Sequence, residues 1–235
     1  MTSGRESLTF IFPPAAPVGL AIDGETRLFP VGRVFCIGRN YADHAIEMGG
    51  DPEREEPFFF AKPASAIIAG GGSLPYPPAT ASLHHEVELV VALASGGRNL
   101  SRSAAREAIF GHAVGIDLTR RDLQDIAKRS GRPWDMAKGF DASGPVGALV
   151  PAARREPSGD ASITLDVNGE RRQSGTLGQM IWKPDESLAW LSTLVELKPG
   201  DLVFTGTPAG VGAVVSGDRI AARITGLPAL HCTIM

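Results

Sequence analysis

The sequence predicts an α+β, β-rich fold in which many short strands are joined by tight turns and a few short helices. Three observations point there. Gly (28) and Pro (18) are plentiful among the 235 residues, which suits turns rather than a helical bundle. Asp23-Gly24 and Asn168-Gly169 are strong hairpin signals, the second between the apolar run Ile163–Val167 and a polar strand. The helix-compatible stretches are all short, and the apolar runs between them are rich in Val, Leu and Ile.

Taken in order, residues 8–31 read as short strands broken by Pro13-Pro14, Pro17 and the Asp23-Gly24 turn, a small β extension over 1–30 ahead of a main body over 31–235. Val34–Ile37 is a short buried strand. Ala42–Gly49 suits a helix of about two turns, ended by Gly49-Gly50. Leu83–Leu93 is a buried strand with acids at its start. Ser101 caps a short helix over 101–110. Thr119 and Asp122 suggest a capping box for a helix over 120–129. Asp185 caps a helix over 186–195, where Leu188, Leu191 and Val195 share a face. Leu202–Thr205 is a strand, and 219–234 forms one or two closing strands.

The bulk numbers exclude several classes. A formal charge of −3 gives no reason to expect nucleic acid or an anionic membrane as partner. No apolar run approaches the ~18 residues of a membrane span. The first residues lack a basic segment followed by an apolar core, and two cysteines make no disulfide framework, so a cytoplasmic location is expected. Cys36, on a buried strand, reads as inert rather than nucleophilic.

The chemistry is concentrated in a few places. Glu86 and Glu88 are two apart at a strand start and so point to one face. They are either a solvated strand end or part of an oxygen-only cation site, since two unpaired anions on a buried strand are costly. Asp117, after the apolar run Ala113–Ile116, is a matching third acid. His44 and Glu47 share a helix face, as an exposed pair or as a base with its orienting carboxylate. Arg121 and Gln124 share another. Lys138 lies in the mixed segment Trp134–Phe140, where a lysine need not be solvated. Gly206-Thr-Pro-Ala-Gly-Val-Gly212 is a tight turn or a backbone cradle for a small anion. It is no dinucleotide fingerprint, because strand and turn residues follow it instead of a helix.

Several of these stretches carry a resemblance. Cys36-Ile-Gly-Arg-Asn-Tyr-Ala-Asp-His44-Ala-Ile-Glu47, His84-His-Glu86-Val-Glu88, Gly115-Ile-Asp117-Leu-Thr-Arg-Arg121-Asp-Leu-Gln124, Lys138-Gly-Phe-Asp and Phe204-Thr-Gly-Thr207-Pro-Ala-Gly are similar to the fumarylacetoacetate hydrolase family. Glu56-Pro-Phe-Phe-Phe-Ala-Lys-Pro63 and Arg132-Pro-Trp-Asp135 point the same way, and the nearest branch cleaves fumarylpyruvate. The resemblance runs from about residue 30 to the C-terminus, with the motifs in family order.

That resemblance implies rolled mixed sheets with short helices, a homodimer, and a small diketo acid as substrate. It implies a divalent ion, Mg²⁺ or Mn²⁺ with Ca²⁺ as an alternative, on Glu86, Glu88 and Asp117. His44 and Glu47 would form a water-activating dyad on a lid over the substrate, and Lys138 would hold the keto-acid end. Arg39, Arg121, Gln124, Gly206 and Thr207 would contact substrate. The implied reaction is hydrolysis of a carbon–carbon bond, fumarylpyruvate to fumarate and pyruvate. Cleavage of another acylpyruvate, decarboxylation or tautomerisation of oxaloacetate, and a catabolic decarboxylase/isomerase activity use the same acids. A catalytically silent binding protein is the reading of a different class.

Overall fold

The computed structural model of the chain describes residues 9–42 and 55–235. The chain is mostly strand with short helices, as expected, and four sheets organise the described residues. The largest, of eight strands, runs in the order Phe59–Lys62, Val34–Ile37, Leu202–Phe204, Val87–Leu93, Ile109–Ile116, Gly144–Val146 and Ile67–Ala69, with Val150–Pro151 added beside Ile109–Ile116. Two neighbouring pairs in it are parallel, Val34–Ile37 with Leu202–Phe204 and Gly144–Val146 with Ile67–Ala69. A five-stranded sheet runs Glu170–Thr176, Ser162–Val167, Arg219–Ile224, Leu230–Ile234 and Gly72–Leu74. The small sheet of Thr119–Arg120, Leu83–His85 and Gly212–Val214 sits next to the acids, and Gly19–Ala21 pairs with Leu28–Pro30.

Strand Val87–Leu93 is buried throughout because both of its faces carry core. Val87, Leu89, Val91 and Leu93 join the larger apolar cluster, with Ile163, Leu165 and Leu188. Val90 and Ala92 join a second cluster with Cys36, Phe204 and Leu202. Strand alternation therefore puts Glu88 on the side of Val90. The second cluster also takes in Leu20, Ile22 and Phe29, so the first hairpin is packed on the main sheet.

The hairpin at Asn168-Gly169 forms as read, with both residues at positive φ, 54° and 85°. Strand Leu83–Leu93 is not continuous. It breaks at Glu86 into Leu83–His85, in the small sheet, and Val87–Leu93, in the large one. The helix after Ser101 starts where expected, with the Ser101 hydroxyl accepting from Ala104 N, but ends at Glu107 because Ile109 and Phe110 are drawn into a central strand. Two expected caps do not form. Thr119 lies in a two-residue strand and its hydroxyl donates to Asp117 O, while Asp122 holds Thr80 and Ala81. Helix Pro184–Leu194 begins two residues before the expected start. Glu186 accepts from Lys183 N, and Asp185 pairs with Arg102 instead of capping. Among the described residues no helix is long and apolar enough to cross a membrane.

Candidate metal centre and keto-acid site

The acids meet because of strand register. Glu88 faces Gly115 and Val87 faces Ile116 across the antiparallel pair. One step further Glu86 faces Asp117, whose N–H donates to Glu86 O at 2.8 Å. Cross-strand neighbours have Cβ atoms about 5 Å apart, so register alone brings Asp117 to Glu86, and the i, i+2 spacing adds Glu88. One oxygen from each of the three lies within 4.8 Å of the others, and all three side chains are buried. Gly115 leaves the space beside them, since a Cβ there would stand 2.5 Å from Val90 Cγ2.

Three buried cations answer these three anions. Lys138 Nζ donates to Glu86 Oε2 and Asp117 Oδ2, each at 2.7 Å. Arg121 Nη2 donates to Glu86 Oε1, and Arg121 Nη1 to Gln124 Oε1. Lys62 Nζ lies 2.8 Å from Asp117 Oδ1, but its protons are directed at Ser143 Oγ and Lys138 O. Asp117 Oδ1 thus has an ion-pair partner and no hydrogen-bond donor. Burial would lower the Lys138 ammonium, but Asp117 and Glu86 outweigh it and raise it above the ordinary lysine value. Glu88 is pushed well up, first by burial and then by the Asp117 and Glu86 charges, despite the N–H of Gly206 at 2.6 Å from its Oε2. An acid cluster with one oxygen lacking a donor and one carboxyl reluctant to ionise fits a hard divalent cation, which takes oxygen ligands and stabilises the ionised forms.

The surrounding cleft is lined by Arg39, Phe60, Arg121, Gln124, Lys128, Trp134, Lys138, Gly206 and Thr207, and holds about 30 Å³ of free volume beside the acids, room for an ion and a water. Gln173 fixes Thr207 relative to the acid strand. Its Oε1 accepts from Val87 N and pairs with His85 Nδ1, and its Nε2 donates to Thr207 Oγ1 and Pro208 O. Asn40 does the same for Arg39: its Nδ2 donates to Trp182 O and Thr205 O, and its Oδ1 accepts from Trp182 N. Arg39 itself sits at φ 53°, a strained conformation for a non-glycine residue. Phe58 and Phe60 pack on Trp134, and Phe60 and Trp134 wall the cleft.

The structure therefore gathers Glu86, Glu88, Asp117, Lys138, Arg121, Gln124, Arg39, Gly206 and Thr207 around one cleft. His44 and Glu47 lie outside the described residues, as does all but the start of their expected helix. Lys62, Lys128 and Trp134 escaped the reading of the sequence as functional positions. Lys62 ends an apolar run, an unusual place for a lysine, and Lys128 continues the Arg121–Gln124 stripe at i+7. A larger cavity of about 450 Å³, lined by Arg102, Arg106, His112 and Glu156, lies elsewhere and contains no acid cluster. Its arginines are paired with Asp185 and Glu156.

Known proteins resemble this chain over most of its length. The family profile "Fumarylacetoacetate (FAA) hydrolase C-terminal" matches residues 33–235. A fumarylpyruvate hydrolase of Ralstonia sp is 41% identical over 184 residues, 78% of this chain and 95% of the relative. An oxaloacetate tautomerase of Arabidopsis thaliana is 42% identical over 202 residues, 86% of this chain and 90% of the relative. The crystal structure of a fumarylpyruvate hydrolase from Pseudomonas aeruginosa in complex with Mn²⁺ and pyruvate superposes with a TM-score of 0.94 at 48% identity, covering 97% of this chain and 99% of that one. The register-built acid cluster, its cationic surround and the profile match over nearly the whole chain lead to one conclusion: this chain belongs to the fumarylacetoacetate hydrolase family.

Proposed function

We propose that the chain is a divalent-metal-dependent hydrolase of acylpyruvates, with fumarylpyruvate as its first candidate substrate. The observation that carries this reading is the charge balance of the site. Glu86, Glu88 and Asp117 contribute three negative charges and Lys62, Lys138 and Arg121 three positive ones, so a divalent ion leaves a surplus of two. That surplus matches an anionic, chelating keto acid. The Pseudomonas aeruginosa relative, with Mn²⁺ and pyruvate, supports the same choice.

Glu86, Glu88 and Asp117 would hold the ion. The chemistry such an ion would supply there is that of a Lewis acid, polarising keto-acid oxygens and stabilising the negative charge that develops on them. Lys138, which bridges Glu86 and Asp117, would hold its ammonium beside those substrate oxygens. Arg121, Gln124 and Thr207 orient the substrate from the cleft walls. His44, oriented by Glu47, takes a proton from water, and the hydroxide adds to the distal carbonyl carbon. The carbon–carbon bond breaks with its electron pair moving into the pyruvate enolate, whose oxygen faces Lys138. The proton held by His44 returns to C3 of that enolate. Water is thus divided between fumarate, which gains the oxygen, and pyruvate, which gains the hydrogen.

A second reading, tautomerisation of oxaloacetate, is favoured by the Arabidopsis relative at nearly the same identity. It needs proton transfer at C3 and no water addition. Incubating Mn²⁺-loaded protein with fumarylpyruvate and with enol-oxaloacetate, and following products by NMR, separates the two. We expect fumarate and pyruvate in equal amounts, loss of turnover with a chelator, and a fall of about 10²-fold or more in His44→Ala, the usual worth of a general base. Accelerated enol–keto exchange without any fumarate would establish the second reading instead.

A further inference from the structure

Two cations of the cleft make no ion pair with the acid cluster. Among the described residues Arg39 makes no ion pair or hydrogen bond, its buried Nε included, and its guanidinium stands 5.9 Å from the centre of the Phe58 ring. Lys128 is half-buried, lines the same cleft and rests 5.5 Å from the Trp134 ring, again without a carboxylate partner among the described residues. Burial, then the neighbouring Arg121 and more weakly Arg39, push the Lys128 ammonium below its ordinary value against the opposing charges of Asp125 and Glu86. Cations held close together, partly desolvated and without anions, are unfavourable unless something binds there. The stripe is deliberate in its placement. Arg121, Gln124 and Lys128 stand at i, i+3 and i+7 on one face of helix Arg121–Arg129, from the acids outward. Arg39 lines the same cleft, held in a strained conformation by the Asn40 clamp.

We propose that Lys128, with Arg39 beside it, forms a subsite for a second carboxylate, and that it makes the enzyme prefer acylpyruvates whose acyl group ends in a carboxylate over those ending in an alkyl group. The proposal rests on the acylpyruvate reading of the site given above. The pyruvyl carboxylate is already accounted for by the ion, Lys138 and Arg121. With the pyruvyl carboxylate at that end, Lys128 and Arg39 are the cations of the cleft left to face the acyl end of the substrate, where a terminal carboxylate would give them a counter-charge. The Phe60 and Trp134 rings, tilted 57° to each other, give the same cleft an aromatic side against which a conjugated chain can pack.

The test compares wild type, Lys128→Met and Lys128→Arg, each loaded with Mn²⁺, on fumarylpyruvate and acetylpyruvate. Methionine keeps the stem over Trp134 and removes only the charge. A charge-assisted hydrogen bond lost on binding predicts a rise in KM for fumarylpyruvate of about tenfold or more with kcat little changed. Acetylpyruvate should change by less than about twofold, and Lys128→Arg should recover most of the loss. In parallel, calorimetry on the Mn²⁺-loaded proteins measures 2-oxohexanoate and 2-oxoadipate, which share the keto-acid end and chain length and differ in the terminal carboxylate. Wild type should bind the diacid more tightly by a margin that Lys128→Met removes. If neither acylpyruvate is cleaved by wild type, the reaction assignment fails and the calorimetry still decides the subsite. Equal losses on both substrates, no loss on either, or a diacid preference unchanged in Lys128→Met would overturn the proposal.

Discussion

Lys62 sits at the end of strand Phe59–Lys62 with its ammonium 2.8 Å from Asp117 Oδ1 and fully enclosed. Removing one member of a buried ion pair leaves the other charge uncompensated, which typically costs about 3–5 kcal/mol. Asp117 keeps Lys138 on its other oxygen, so Lys62→Met should lower the stability of metal-free protein by less than that. A cation bound at Glu86, Glu88 and Asp117 would supply positive charge to the same carboxylate, so the deficit should shrink in saturating Mn²⁺. Urea unfolding in chelator and in Mn²⁺ measures both values, and an equal deficit in the two conditions would show that Lys62 acts apart from the acid cluster. At this scale the sequence was informative where the rule is local. Glu86 and Glu88 could be read as sharing a face from their spacing, and Asp117 as a strand-end acid from the apolar run before it. Lys62 could not be assigned, because its partner lies 55 residues away and no spacing rule spans that distance. Lys128 stands at a legible i+7 position, but a helix stripe says nothing about whether it faces water or a cleft.

Turns and loop ends carry the next level of order, and two glycines there make a controlled comparison. Gly169 and Gly206 both have positive φ, 85° and 93°. At Gly169, in the exposed hairpin, an added Cβ meets nothing within 4 Å, whereas at Gly206 it would stand 2.7 Å from Asn40 Cβ. Gly169→Ala should lose only the backbone term, about 1 kcal/mol, and leave Mn²⁺ affinity unchanged. Gly206→Ala should lose more stability, because it presses on the Asn40 clamp, and should weaken Mn²⁺ binding by moving the N–H that holds Glu88 Oε2. Thermal unfolding and metal titration of the two variants check the contrast, and matching behaviour would mean that the Gly206 loop does not position Glu88. The hairpin at 168–169 was readable because turn type is written in the dipeptide. The break in the acid strand at Glu86 was not, since it reflects a change of partner: Leu83–His85 pairs with Gly212–Val214, and Val87–Leu93 pairs with Leu202–Phe204. The same competition explains the lost caps. Thr119 was drawn into a sheet, and Asp185 found Arg102, in a helix more than eighty positions earlier.

The whole molecule is built on a central sheet with apolar clusters on both faces, and that thickness has a consequence for its response to pH. His112, in strand Ile109–Ile116, is 3% exposed, and its Nδ1 has no hydrogen-bond partner. Burial lowers it from its ordinary value to about 4. The imidazole is therefore neutral in the folded state at pH 5, while in the unfolded chain, with a value near 6.5, it is largely protonated. The unfolded state binds more protons in this window, so stability contributed by the neutral imidazole is present above about pH 6.5 and is lost as pH falls to about 4. The total is on the order of 3 kcal/mol, with a slope approaching 1.4 kcal/mol per pH unit in the middle of the range. His84 is also lowered to about 4, by burial and then by Arg121, and acts in the same direction. Glu88 acts in the opposite direction, because its raised folded value lets the native state hold a proton that the unfolded chain has released. The net curve mixes these contributions, and the difference between wild type and His112→Met isolates one. Unfolding free energies of the two proteins, measured in chelator from pH 7.5 to pH 4.5, should converge as pH falls, the variant losing less stability than the parent. Parallel curves would mean that His112 becomes protonated inside the fold, and that the cavity it lines admits the water needed to solvate it.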